Sequence, residues 1–210
     1  MRVWRYVITN DSGFAPNFES PYATLATCKP GIRRAARPDD LIVAFNGDRL
    51  VSGEPHSVRW AGIVGGVMPL GVYRDDPRFQ GKKPTQHGGQ RAGGAPDNIY
   101  RPYVVGQLEQ VENGSHGVES AATDIGGRNA LVFKRSWYFG PSVANLHAHL
   151  NLNLGGRRKE RHSEIDEPTW RELKDWPDRH EPAPAASVPS NETSGCRRRS
   201  TTISRGRPRC

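Results

Sequence analysis

The sequence predicts an α+β fold built on a small, strongly bent β-sheet or barrel with one or two flanking helices. Three observations predict it: two apolar runs, Val3–Ile8 and Leu41–Phe45, rich in β-branched and aromatic residues; a polar, basic helical segment between them; and a third apolar run, from Ser57 to Tyr73, interrupted by Gly65 and Gly66. Several short strands with Gly and Pro turns and only two helix signals fit that class better than a parallel βαβ array.

The elements follow in order. In the first run Val3, Arg5 and Val7 alternate with Trp4, Tyr6 and Ile8, and the aromatic face is expected to point inward. Asp11, Ser12 and Gly13 supply turn chemistry, and Phe14 follows with Pro16 stiffening the loop. Pro30 opens a short helix, GIRRAARPDD, that Pro38 stops. Asp39 and Asp40 then turn the chain into Leu41–Phe45, a continuous apolar run of the kind buried on both sides. Gly65 and Gly66 predict a bulge or a close backbone approach, with Trp60 placed in the core. From Arg74 to Pro96 the Gly- and Pro-rich composition reads as a long loop lined with cations. Ile99–Val105 resembles a short strand broken by Pro102, and Ala130–Phe133 another, ahead of Trp137, Tyr138 and Phe139. Asp166–Trp176 carries a helix signal with Trp170, Leu173 and Trp176 on one side, and from Pro177 onward the chain reads as a disordered tail.

Composition bounds the function. The apolar fraction is 35% and the mean hydropathy −0.71, which suits one domain with an appendage in 210 residues. Net charge is +8, and the tail from Pro177 holds seven Arg against three acids, so half of the excess lies there. That balance suits a polyanionic partner. Three widely spaced cysteines and no apolar run of spanning length predict a reducing, cytoplasmic setting without a membrane segment.

The segment Asp11–Asp48 holds the densest chemistry. Arg33 and Arg34, close behind the Pro30–Gly31 turn, are expected to grip a phosphate with their forked guanidinium groups, with Lys29 beside them and Phe14 placed to stack on the attached base. Asn17, Asn98, Tyr100 and Tyr138 complete the expected nucleotide-binding set. Cys28 beside Lys29 is read two ways, as a small buried hydrophobe or as a nucleophile of lowered pKa, and Asp11 is the other catalytic candidate. Ser115, His116 and Asp124 do not form a recurring hydrolytic pattern, since no G-x-S-x-G elbow is present. His147 and His149 alternate as two ligands of a metal would but lack a third, and no metal or cofactor is expected; P-loop, dinucleotide and zinc-deaminase patterns are missing.

The strings DSGFAPN, TLATCKPGIRR, PDNIY and SWYFG, in this order with an acidic turn before the second strand, resemble the nucleotide modification associated domain of the second type, known from bacteria and their phages. The resemblance runs from Met1 to about Gly156, leaving residues 157–176 as a helical extension and 177–210 as the tail. It implies a nucleic-acid or nucleotide partner, with DNA favoured, and an association with base modification rather than a stated reaction. The layout of the strands is similar to PUA-like pseudobarrels, which implies a cleft for a single, often modified, base. Two functions follow as expectations: recognition of a modified nucleotide through an aromatic- and Arg-lined cleft, or an enzyme of base modification using Cys28 or Asp11. The oligomeric state is left unassigned.

Overall fold

The computed structural model describes residues 2–18, 21–47, 58–85, 95–113, 116–139, 161–164 and 167–179. Their strands are β1 (Arg2–Ile8), β2 (Thr24–Leu25), β3 (Leu41–Asn46), β4 (Val58–Pro69), β5 (Tyr100–Pro102), β6 (Leu108–Gln110), β7 (Asn129–Tyr138) and β8 (Arg161–Glu164). The helices are α1 (Pro30–Ala35), α2 (Leu70–Asp75), α3 (Ala121–Ile125) and α4 (Glu167–Arg179).

The fold is mixed α+β. One open sheet runs in the order β2-β7-β4-β3-β1-β8, and β5 and β6 form a separate two-stranded ribbon. Among the described strands of this sheet only β1 and β3 pair in parallel, joined by the polar crossover that carries α1, and the other neighbours are antiparallel. Among the described residues the sheet does not close, so the α+β class holds and the strands do not form a complete barrel. The bend is local. The β4–β7 register slips between Ile63 and Gly66, and Gly65 sits where a Cβ would lie 2.7 Å from Lys134 Cβ. That approach explains the glycine.

Both faces of β1 are buried, which alternation alone does not reveal. Val3 joins Leu41, Val43, Ile63 and Trp137 on one face, where Trp170 of α4 packs. Trp4, Tyr6 and Ile8 join Ile42, Trp60 and Phe133 on the other, covered by Ile32 of α1 and by Ala36 just beyond it. A third cluster, Phe14, Leu70, Tyr73, Phe79, Ile99 and Tyr100, lies between the sheet end and the ribbon. Asp40 fastens the acidic turn, accepting from Arg2 Nη2 at 2.7 Å, Trp4 Nε1 at 2.9 Å and the Arg37 amide at 2.9 Å.

Three readings change. The stretch after Arg74 is not all loop: α2 continues to Asp75, and Pro77–Lys82 forms a 3₁₀ helix whose Asp76 cap accepts from the Arg78 amide at 2.9 Å. The helix after Pro30 stops at Ala35, short of Pro38, since the residues leading into a proline avoid helical backbone. The last helix runs through Pro177–Arg179, which the sequence assigns to the tail, and the rest of that tail, with His147 and His149, falls outside the described residues.

Candidate active site

Three segments converge beside α1. The first is the link from β2 to α1, where Cys28 (φ 52°) and Lys29 (φ 43°) both adopt left-handed backbone, a costly state for residues with a Cβ. Thr27 holds this link to the Asp11–Asn17 loop by donating Oγ1 to the Phe14 carbonyl at 3.3 Å. The second is the stretch between β6 and α3, which places His116. Its amide donates to Asn113 Oδ1 at 2.6 Å, and its carbonyl accepts from Gln110 Nε2 at 2.6 Å and Asn113 Nδ2 at 3.3 Å. The third is α3, which presents Asp124 at 2% exposure.

The Cys28 sulfur, an imidazole nitrogen of His116 and a carboxylate oxygen of Asp124 all lie within 4.8 Å of one another. Cys28 is half-buried, and the His116 side chain is only 6% exposed. His116 Nε2 lies 2.9 Å from Asp124 Oδ2, an ion-pair distance at which the two groups are out of line for a hydrogen bond. The Phe14 ring packs on the imidazole at 5.1 Å between centroids, tilted by 34°. The Tyr100 hydroxyl donates to Asp124 Oδ2 at 2.9 Å, and Arg33 Nη2 stands 3.7 Å from Oδ1. Burial, and then the neighbouring Asp124 charge, push the Tyr100 phenol well above its ordinary value, so it stays a donor at neutral pH.

A thiol beside an imidazole whose partner is a carboxylate is the arrangement that activates a nucleophile. The sulfur and the imidazole nitrogen lie within 4.8 Å of each other. By donor type the same three side chains suit a zinc ion. Against that use, Tyr100 and the Arg33 guanidinium already face the two Asp124 oxygens.

The residues expected to bind a nucleotide are scattered through the fold. Arg33 is fully buried and points inward, donating to the carbonyls of Cys28 at 2.6 Å, Asn129 at 2.8 Å and Asp124 at 2.5 Å. Arg34 points outward, with Nη1 3.3 Å from the Gly126 carbonyl. The two forks therefore do not converge on one anion. Lys29 lies over the Tyr6 ring at 4.9 Å, its Nζ 3.4 Å from the Val7 carbonyl. Phe14 and Tyr100 are core residues of the third cluster as well as walls of the thiol centre. Asn17 is buried, donating to the Ala95 carbonyl at 3.0 Å and accepting from Lys82 Nζ at 2.5 Å. Asn98 is buried too, its Nδ2 3.2 Å from the carbonyls of Tyr73 and Phe79.

Asp11 and Tyr138 meet in a second cluster. Asp11 Oδ2 accepts from Arg59 Nε at 2.7 Å and from the Tyr138 hydroxyl at 2.5 Å, and Phe18 packs on the Tyr138 ring at 4.6 Å. Burial, and then the Asp11 hydrogen bond, push Tyr138 up to about 12.

Sequence reasoning weighed Cys28 alone and set His116 and Asp124 aside as members of a serine triad. The partnership joins segments far apart in the chain and leaves no local motif, so only the fold reveals it.

The fold and this site together define an α+β domain with a half-buried thiol centre at one end of an open sheet. The sequence matches nucleotide modification associated domain 2 over residues 1–192, and the chain belongs to that family. The domain is thus associated with nucleotide modification. No curated protein and no solved structure matches the chain. Among the described residues no helix is long and apolar enough to cross a membrane.

Proposed function

We propose that this chain is an enzyme of nucleotide or DNA base modification in which Cys28 is the nucleophile, His116 its base and Asp124 the group that orients and stabilises the imidazolium. The observation that carries the reading is the approach of thiol, imidazole and carboxylate to within 4.8 Å at a half-buried cysteine. In the reaction the thiol proton passes to His116 as the sulfur bonds to an electrophilic carbon of the substrate. The imidazolium then returns the proton to the adduct or to a leaving group. The family's association with nucleotide modification supports a nucleotide or a base in nucleic acid as the substrate class, and the net charge of +8 favours the polyanion.

The alternative, a module that only recognises a modified base in an aromatic- and Arg-lined cleft, draws less support. Phe14, Asn17, Arg33, Asn98 and Tyr100, which were to line that cleft, are at most 5% exposed.

Brief iodoacetamide labelling across a pH series, read by mass spectrometry, tests the thiol. Cys28 should react with a midpoint below the ordinary thiol value of about 8.5, and His116→Ala should raise it. Intact mass after incubation with nucleosides, nucleotides and short oligonucleotides then seeks the covalent adduct. A midpoint at the ordinary value that ignores His116→Ala overturns the proposal. So does stoichiometric zinc in the purified protein that disappears in Cys28→Ser, which makes the cluster a metal site instead.

A further inference from the structure

Among the described residues Arg33 is the largest charged side chain with no solvent exposure, and its surroundings are specific. Its Nε donates to the Cys28 carbonyl, its Nη1 to the Asn129 carbonyl at the start of β7, and its Nη2 to the Asp124 carbonyl. Nη2 also faces the Asp124 carboxylate at 3.7 Å. One planar fork thus reaches the thiol link, α3 and the first residue of β7.

A buried guanidinium facing a buried carboxylate is a weak source of stability, because desolvating both charges offsets most of their attraction. Its effect is on geometry. Two successive left-handed residues at Cys28 and Lys29 are costly and persist only where the surroundings hold them. The Arg33 bond to the Cys28 carbonyl is such a hold, and the same group fixes the helix that carries Asp124. Gly127 makes room for it. A Cβ there would lie 2.5 Å from Arg33 Cζ and 2.6 Å from Nη2, although the Gly127 backbone itself does not require glycine.

We infer that Arg33 is the positioning residue of the thiol centre, setting the Cys28 sulfur against His116 and Asp124, and that Gly127 is the residue whose missing side chain admits it. The inference rests on the thiol reading above. Lysine cannot substitute, since one ammonium cannot supply donors in the three fixed directions that these carbonyls occupy.

The test uses the full chain with Arg33→Lys and Gly127→Ala, and Arg34→Lys as control. The readouts are the pH midpoint of Cys28 alkylation and the thermal melt. Arg33→Lys should raise the midpoint by about one pH unit, lowering the thiolate fraction at neutral pH by up to about tenfold, and Gly127→Ala should move it the same way. Arg34→Lys should leave it in place. A purely structural role would lower the melting temperature and leave the midpoint where it is. If the parent midpoint is depressed and His116-dependent while both variants keep it, the positioning inference is overturned and the thiol reading stands. If the parent midpoint is ordinary, the thiol reading fails first. Should either variant fail to fold, the ¹⁵N resonance of Arg33 Nε in the parent decides: it should titrate with the alkylation midpoint, and an Nε signal that ignores that pH range overturns the inference.

Discussion

The Tyr100 hydroxyl donates to Asp124 Oδ2 at 2.9 Å, tying the β5–β6 ribbon to the carboxylate beside His116. Both groups are buried, so deleting the hydroxyl leaves a carboxylate oxygen without its donor. Tyr100→Phe should therefore cost about 1 to 3 kcal/mol in denaturant unfolding. The ring itself stays, so the third cluster keeps its packing. An unchanged unfolding midpoint would show that the hydrogen bond contributes nothing net.

The glycine pair in β4 makes a sharper test, because the two positions differ in what stands opposite. A Cβ on Gly65 meets Lys134 Cβ at 2.7 Å and the Lys134 amide nitrogen at 3.0 Å, whereas one on Gly66 comes no nearer than 4.0 Å to Val132 Cβ. Neither residue needs left-handed backbone. Gly65→Ala should destabilise by about 1 to 3 kcal/mol, since β4 and β7 must separate. Gly66→Ala should be neutral or stabilise by up to about 1 kcal/mol, through the entropy of the unfolded chain. Equal melting temperatures for the two variants would contradict the close approach.

Those glycines are legible in the sequence because a break in a long apolar run has few structural explanations. The apolar runs of β1 and β3 and the bulge in β4 are read for the same reason: period and composition are local properties. Arg33 shows where that reasoning ends. Beside Arg34 it looks like half of an exposed basic face, and what turns it inward is a carboxylate and two carbonyls, those of Asp124 and Asn129, contributed from far along the chain. Lys82 is similar. It lies in a stretch whose Gly, Pro and charge content reads as loop, yet it is 1% exposed and donates to Asn17 Oδ1. Buried polar networks follow from tertiary partners, and hydropathy patterns record only where apolar surface must go. The same limit hid the thiol centre.

Asp97 belongs to that buried polar network, and its titration has a sign that can be worked out. It accepts from the Thr24 hydroxyl at 2.7 Å and the Tyr73 hydroxyl at 2.7 Å, and burial raises its pKa in spite of the opposing charge of Lys82. An acid whose pKa is raised on folding holds its proton in the native state over a range where the unfolded chain has released it. Stability contributed by this site therefore falls as pH rises from about 4 through the folded-state value. Asp97→Asn should flatten that fall. The measurement is urea unfolding at several pH values. Parallel pH profiles for parent and variant would remove Asp97 from the pH dependence.

The second cluster gives an alkaline signature. Tyr138 is pushed up to about 12, first by burial, then by its bond to Asp11 and the Asp11 charge, while Arg59 opposes them. In the unfolded chain a tyrosine releases its proton near 10, so between about 10 and 12 the native state holds one proton more and stability declines as pH rises. Asp11→Asn removes the charge and weakens the bond while preserving shape, and should lower the Tyr138 midpoint towards 10. Spectrophotometric titration at the phenolate band, with Tyr138→Phe to identify the late-ionising ring, reads this directly. The same variant separates the two clusters, because Asp11 bonds to Arg59 and Tyr138 and not to the thiol centre. The Cys28 alkylation profile should thus be unchanged in Asp11→Asn. A shift in that profile would mean that Asp11 acts on the same chemistry as Cys28, and that the two catalytic candidates serve one site.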